Sequence, residues 1–232
     1  MQRYVSDELT HFVGARLRDD PEAQYTLLVD RILKEGRLGP GDKYYSNWWY
    51  GMRSDRSLSS NEMFDFPTKV CFCDIPVGDL EIHMQKYGLF GLAFQKSVLI
   101  PKGARPVFYI PRGESLSTAF KGIEDLHFGL HRLLEMFDLG HGCPEPLKKL
   151  IGELYVGKLD MEKGIIAYLK FFDIGTTDTD PDNYYMEREW RVLGQIQFAL
   201  PDVWRIILPA TYAQRLRNDL PEYTGQVTFS AK

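Results

Sequence analysis

The sequence has few cysteines and no long apolar run, and each shortage excludes a class of protein. Its three cysteines are Cys71, Cys73 and Cys143. A small, odd number of cysteines in a chain of 232 residues does not form a disulfide framework. No run approaches the roughly 20 apolar residues that cross a bilayer. The opening segment, MQRYVSDELTHF, also has no apolar core of signal-peptide length. We therefore expect a cytoplasmic protein that does not enter the membrane.

The sequence also lacks an excess of basic residues, with 28 Lys and Arg against 32 Asp and Glu. The formal net charge is −4 at pH 7 and the pI is about 5.8, unlike the strongly basic surface of a dedicated duplex binder. A local basic groove is compatible with this charge, so nucleic acid stays open as a partner. The sequence has no Walker motif, no GxGxxG and no nucleophile elbow, which excludes nucleotide hydrolases and Rossmann enzymes.

The apolar content is ordinary, and the length is sufficient for a sizeable core. With 44% hydrophobic residues in 232, one domain over residues 1–232 is the default expectation. Predicted strands cover residues 7–13, 68–76, 88–100, 104–111, 186–194, 204–209 and 225–230. Predicted helices cover residues 21–36, 79–87, 114–155 and 211–220, whereas the apolar segment 162–174 suits either structure.

The order of these elements predicts the fold class. Strands do not alternate regularly with crossover helices, which disfavours a parallel doubly wound sheet. We predict an α+β protein with a split, mostly antiparallel sheet and a helical insertion at about residues 114–155.

The segment YYMEREWRVLG, residues 184–194, carries an unusual pair of acids at the start of a predicted strand. Strand alternation places Glu187, Glu189 and Arg191 on one face, about 6–7 Å apart, and Trp190 on the other. Two carboxylates this close raise the pKa of at least one unless a cation, Arg188 or Arg191, lies between them. We predict that Glu189 lies deep in a cleft, that Glu187 lies at its mouth and that Trp190 packs behind them.

Two interpretations of this pair remain open. The first is a solvent-exposed edge strand with a ladder of ion pairs, because charge protects strand edges from aggregation. The second is a pair of catalytic carboxylates that would cleave a glycosidic bond through an oxocarbenium-like transition state.

Several segments resemble the AbiGi family of bacterial abortive-infection proteins. They are LTHFVG at 9–14, ILKEGRL at 32–38, VCFCDIP at 70–76, HMQKYGLFGLAF at 83–94 and YYMEREWRVLG at 184–194. The resemblance implies a role in phage defence within a two-gene system of toxin–antitoxin type, with this chain as the antitoxin. The partner would then be the product of a neighbouring gene.

The Glu-x-Glu motif also resembles the signature of ADP-ribosyltransferases, and the segments around THF and ILKEGRL resemble DarT-type enzymes. This resemblance implies that NAD is a substrate, with His11 as its anchor, Glu189 as the catalytic acid and Glu187 orienting the acceptor. The middle strand, Cys71–Asp74, would support the nicotinamide pocket through Cys71. Here the family's usual Ser-Thr-Ser is replaced by Cys-Phe-Cys. Arg191 lies beside the acids and would also contact NAD.

The aromatic segment KYYSNWWYGMRSDR, residues 43–56, interleaves aromatic and basic side chains. Such a segment stacks unpaired bases or a dinucleotide, and Tyr45 is our candidate for contact with NAD. The alternative is a loop that folds its aromatic side chains over the core.

We predict no metal site, because Cys71 and Cys73 point to one face of a strand as buried apolar residues do. Two functions follow from the sequence. The first is NAD-dependent ADP-ribosyl transfer to DNA, RNA or protein, and the second is a non-catalytic antitoxin that binds a toxin.

Overall fold

The computed structural model describes residues 6–39, 69–111, 144–177, 180 and 183–230, with isolated helical positions between 122 and 132. The chain divides into two compact units. The larger comprises Met1–Arg53, Asp65–Val107 and Thr176–Lys232, and the smaller comprises Ser54–Phe64 and Phe108–Gly175. The expected single domain with its insertion stays a prediction, and most of 114–143 lies outside the described residues.

Strands and short helices alternate irregularly along the chain. The strands are β1 (Glu8–Phe12), β2 (Arg37–Leu38), β3 (Lys69–Cys73), β4 (Gly91–Gln95), β5 (Arg105–Pro106), β6 (Phe108–Pro111), β7 (Leu169–Phe172), β8 (Glu189–Leu193), β9 (Ile196–Gln197), β10 (Val203–Pro209) and β11 (Gln226–Ser230). The α-helices of the described residues are α1 (Pro21–Thr26), α2 (Glu81–Tyr87), α3 (Lys96–Leu99), α4 (Glu145–Gly164) and α5 (Ala213–Asp219).

A seven-stranded sheet forms the centre of the larger unit. Its order is β11-β10-β4-β1-β3-β8-β5, and every neighbouring pair is antiparallel except β10 with β11. That parallel pair is joined through α5, as a parallel connection requires. The prediction of an α+β protein with a mostly antiparallel sheet is confirmed. The ADP-ribosyltransferase-like arrangement stays a prediction.

The two faces of this sheet differ in chemistry. On the first, which we call the apolar face, residues such as Leu9, Phe72, Leu92, Val192 and Ile206 belong to the main buried core. Each large apolar side chain buried there contributes about 1.5–3 kcal/mol.

The opposite face, which we call the mixed face, carries Thr10, Cys73 and Glu189 at paired positions on three neighbouring strands. A smaller apolar cluster covers it in part, since Leu80 is buried with Cys73 and Met84 of α2 packs against them. The mixed face is therefore buried although it carries charge.

The predicted helix at 21–36 is confirmed, with an irregular second half. Asp20 caps α1 through a hydrogen bond from the Ala23 amide, and Pro21 occupies the first turn, where its missing N–H costs nothing. A π-helix follows at Leu27–Leu33. The segment ends at Gly36, whose φ is 63° and where a Cβ would meet the Phe198 carbonyl oxygen at 2.6 Å.

Two predicted strands are wrong in their bounds. Residues 88–100 form β4 only to Gln95, and then turn into α3, where Lys96 reaches the Asp74 carboxylate at 2.7 Å. Residues 104–111 form two strands, since β5 pairs with β8 and β6 pairs with β7, and the Val107 amide between them donates to the Glu189 carbonyl.

The smaller unit contains α4 and a parallel pair of strands, β6 and β7. The ambiguous segment 162–174 combines the end of α4, a 3-10 turn at Ile166–Tyr168 and β7.

Candidate functional site: a buried acidic pair

The acidic pair is built from a turn and a strand, instead of a single strand. A 3-10 helix covers Tyr184–Glu187, Arg188 takes a left-handed conformation with φ 43°, and β8 begins only at Glu189. Arg188 is the one non-glycine residue with positive φ in the described part of the chain. Its carbonyl accepts the Asp74 amide at 3.1 Å, which holds the bend against β3. The predicted placement of Glu187 on the strand is wrong.

Glu189 forms an ion pair with Arg191 on the mixed face. The Arg191 Nε donates to Glu189 Oε1 at 2.6 Å, and the side chains are only 5% and 1% exposed. Strand alternation explains the contact, since residues two apart share a face. Charges buried at this level are stable only when paired, so each side chain is needed to keep the other in place.

Glu187 is held by the last turn of α2. Its Oε1 accepts from Lys86 Nζ at 3.0 Å and from the Tyr87 hydroxyl. The Glu187 side chain is 9% exposed and the Lys86 side chain 19%. The interpretation as a solvent-exposed edge strand is wrong, because β8 lies between β3 and β5 and both carboxylates are buried. Trp190 packs against the main core, as predicted.

The two cysteines of β3 lie beside the acids. Burial raises the pKa of the Cys71 thiol, and the Glu189 charge raises it further. Burial and then the Glu187 charge raise the pKa of the Cys73 thiol in the same direction. Both shifts favour the protonated thiol, which is the less nucleophilic form.

His11 lies on the other side of the sheet. Its ring meets the Phe72 ring edge-on, with centroids 5.7 Å apart, and Phe72 belongs to the apolar face. Its Nδ1 is 2.7 Å from the Cys71 carbonyl oxygen. Because a carbonyl only accepts, Nδ1 carries the proton in the neutral ring and donates it.

The structure thus brings together part of the predicted site. Glu187, Glu189 and Arg191 are buried beside the cysteines of β3, with Cys71 partly exposed, whereas His11 lies on the opposite face of the sheet from Glu189. The predicted roles toward NAD stay predictions, and Tyr45 lies outside the described residues.

Sequence reasoning missed the cations that hold this region. Lys86 is 101 residues from Glu187 in the chain, and Lys96 contacts Asp74, which also accepts the Ser6 amide at 3.1 Å. Lys86 lies within the segment HMQKYGLFGLAF, but nothing local in that segment indicates that its ammonium pairs with Glu187, and Lys96 lies outside the quoted segments.

A pH prediction follows from His11. Burial lowers its pKa from 6.5, although the bond to Cys71 opposes the shift. Below about pH 6.5 the unfolded chain binds a proton that the folded protein does not, so stability falls as pH falls, by at most about 1.4 kcal/mol per pH unit. Urea unfolding at a series of pH values from about 7.5 to about 5.5 measures this slope of the free energy of unfolding against pH.

The matched control for that experiment is His11→Gln, which keeps a donor but does not titrate. The variant should lose the part of the slope that His11 supplies. An unchanged slope would mean that other groups cause it.

A separate concave surface lies beside the π-helix. It is a pocket of about 300 Å³, at the lower limit for small-molecule sites, lined by Leu27, Arg31, Ile32, Glu35, Arg37, Leu38, Gly39 and Gln195. Arg31 and Arg37 both contact Glu35, at 3.6 Å and 2.6 Å. An anionic ligand would have to displace that carboxylate.

Two further classes of feature are missing from the part of the chain that the structure describes. It contains no group of three or more His, Cys, Asp and Glu side chains able to hold a metal ion. Its helices are all too short or too polar to cross a membrane.

Fold and site together define an α+β protein in which a mostly antiparallel sheet buries an ion-paired acidic motif. The model of one protein family matches residues 65–218, which are 154 of the 232 residues. That family is described as "Putative abortive phage resistance protein AbiGi, antitoxin". The chain belongs to the AbiGi family, which confirms the resemblance seen in the sequence.

The match includes VCFCDIP, HMQKYGLFGLAF and YYMEREWRVLG, whereas LTHFVG and ILKEGRL precede it. No curated protein and no solved structure matches the chain significantly.

Proposed function

We propose that this protein is the antitoxin of a phage-defence pair and that it neutralises its toxin by binding it. The family description supports the antitoxin role. The observation that carries the binding mechanism is the burial of Glu187 and Glu189 against cations of the same chain. The partner is a toxin protein, encoded in our proposal by a neighbouring gene.

A catalytic carboxylate has to reach the substrate atom that it polarises or protonates. Glu189 is 5% exposed and its Oε1 already accepts from Arg191. Opening this site would separate the buried Arg191 charge from the Glu189 carboxylate, which costs several kcal/mol. A structural role, in which Glu189 neutralises the buried Arg191 charge on the same strand, is therefore the better account of this acid.

The second candidate function is the NAD-dependent ADP-ribosyl transfer that the Glu-x-Glu spacing predicts. The observation that favours it is the grouping of Glu187, Glu189 and Arg191 around β3. The position of His11 on the opposite face weighs against the predicted NAD anchor. We derive no reaction step through NAD.

Co-expression in bacteria tests the proposal. The chain alone should leave growth unchanged, and it should restore growth when the neighbouring gene's product is expressed with it. A chain carrying Phe94→Ala, which removes a buried core ring, is the control and should fail to rescue. Growth arrest by the chain alone would contradict the antitoxin role.

Release of nicotinamide from NAD by the purified chain separates the two candidates. We expect none from the wild-type chain. Release that Glu189→Gln abolishes, with an unchanged circular dichroism spectrum, would instead favour the transferase.

A further inference from the structure

We propose that two copies of this chain pair through the edge strand β11 and extend the sheet from one copy to the next. β11 ends the seven-stranded sheet and pairs only with β10 within the described residues. An unpaired edge presents backbone N–H and C=O groups to any strand that approaches it.

The side chains of β11 lack the usual protection of an edge. Its five residues, Gln226–Ser230, include no charged residue and no proline, which are the common devices against edge-to-edge pairing. Val227 is 40% exposed and Phe229 is 52% exposed. A neutral edge with two exposed apolar side chains favours pairing with another strand.

Both exposed side chains continue the apolar face. Val227 pairs with Ile206 and Phe229 pairs with Leu208, and both partners on β10 are fully buried. Val227 and Phe229 therefore share one face, which a second strand laid beside β11 would extend.

The sequence of β11 fits a second copy of itself. A two-fold axis normal to the sheet at Thr228 makes the two strands antiparallel and keeps their apolar faces on the same side. Val227 of each copy then lies opposite Phe229 of the other copy. Pairs of a β-branched and an aromatic residue are favourable cross-strand neighbours.

The polar residues around this edge do not oppose the pairing. Arg205, the nearest cation on β10, donates its Nε to both oxygens of Glu8 at 3.1 Å. Its Nη1 donates to the Thr228 hydroxyl at 2.7 Å. The Arg205 charge is thus paired within its own copy, and identical edges meet without repulsion between like charges in β11.

Sedimentation equilibrium of the full chain tests the pairing. The wild-type chain should be a dimer in the micromolar range, and Val227→Glu or Phe229→Lys should each weaken it by roughly tenfold or more. An equimolar mixture of the two variants should recover the dimer, because position 227 of one copy faces position 229 of the other.

Ile100→Lys is the matched control. Ile100 is 51% exposed and lies in the larger unit, outside β11. The pairing is overturned if the wild-type chain stays monomeric, if Ile100→Lys dissociates the dimer equally, or if the mixed variants do not recover it. The result is independent of the antitoxin role, since no toxin is present.

Discussion

Arg191→Met is expected to lower the free energy of unfolding by about 3–5 kcal/mol, because it removes the Arg191 cation from the buried Glu189 carboxylate. The Arg191 side chain is 1% exposed and donates to Glu189 at 2.6 Å. Water reaches neither group well enough to replace the lost partner. Urea unfolding followed by circular dichroism measures the loss.

The double variant Glu189→Leu/Arg191→Met is the control for charge. It removes both ions and keeps apolar volume, so its stability should be close to wild type or higher. A loss of less than about 1 kcal/mol in Arg191→Met would place the Glu189 carboxylate in contact with water. That result would reopen the catalytic interpretation of the acid.

Phe94→Ala should also lower the free energy of unfolding by about 3–5 kcal/mol, since it opens a cavity in the main core. Phe94 is fully buried on β4. Its ring meets Phe198 at 5.0 Å and Phe72 at 6.3 Å between centroids, both edge-on. Such aromatic pairs contribute about 0.5–1.5 kcal/mol each beyond their buried area.

Phe94→Leu is the graded control, because it keeps most of the volume and removes only the ring contacts. It should lose clearly less stability than Phe94→Ala in the same urea experiment. Equal losses would mean that ring geometry, and not cavity volume, dominates at this position. Since domains are stable by only about 5–15 kcal/mol, Phe94→Ala should also reduce the folded protein in cells.

The predictions that succeeded rest on local pattern. Asp20, Pro21 and the apolar spacing that follows them specify a helix start, and Gly36 specifies its end. The segment ELTHF forms β1 where the sequence predicted a strand. These signals act between residues a few positions apart, so no knowledge of the fold is needed to interpret them.

The predictions that failed involve contacts across the fold. The apolar run after Gln95 resembles a continued strand, but Lys96 bonds to Asp74 and the chain becomes helical. Glu187 and Glu189 have strand spacing, but the left-handed Arg188 places them in a turn and a strand. In both places a contact with Asp74, which follows β3 and is distant in the sequence, overrides the local preference.

The sequence by itself determined the fold class, most of the elements, the family and the acidic motif. Only the tertiary structure decided what the motif contacts. Lys86 and Tyr87 reach Glu187 from about a hundred residues away, and sheet register puts His11 on the face opposite Glu189. The physical reason is that a strand's alternation is local, whereas the face that a side chain shares with another strand depends on register. Register is set by burial across the whole sheet.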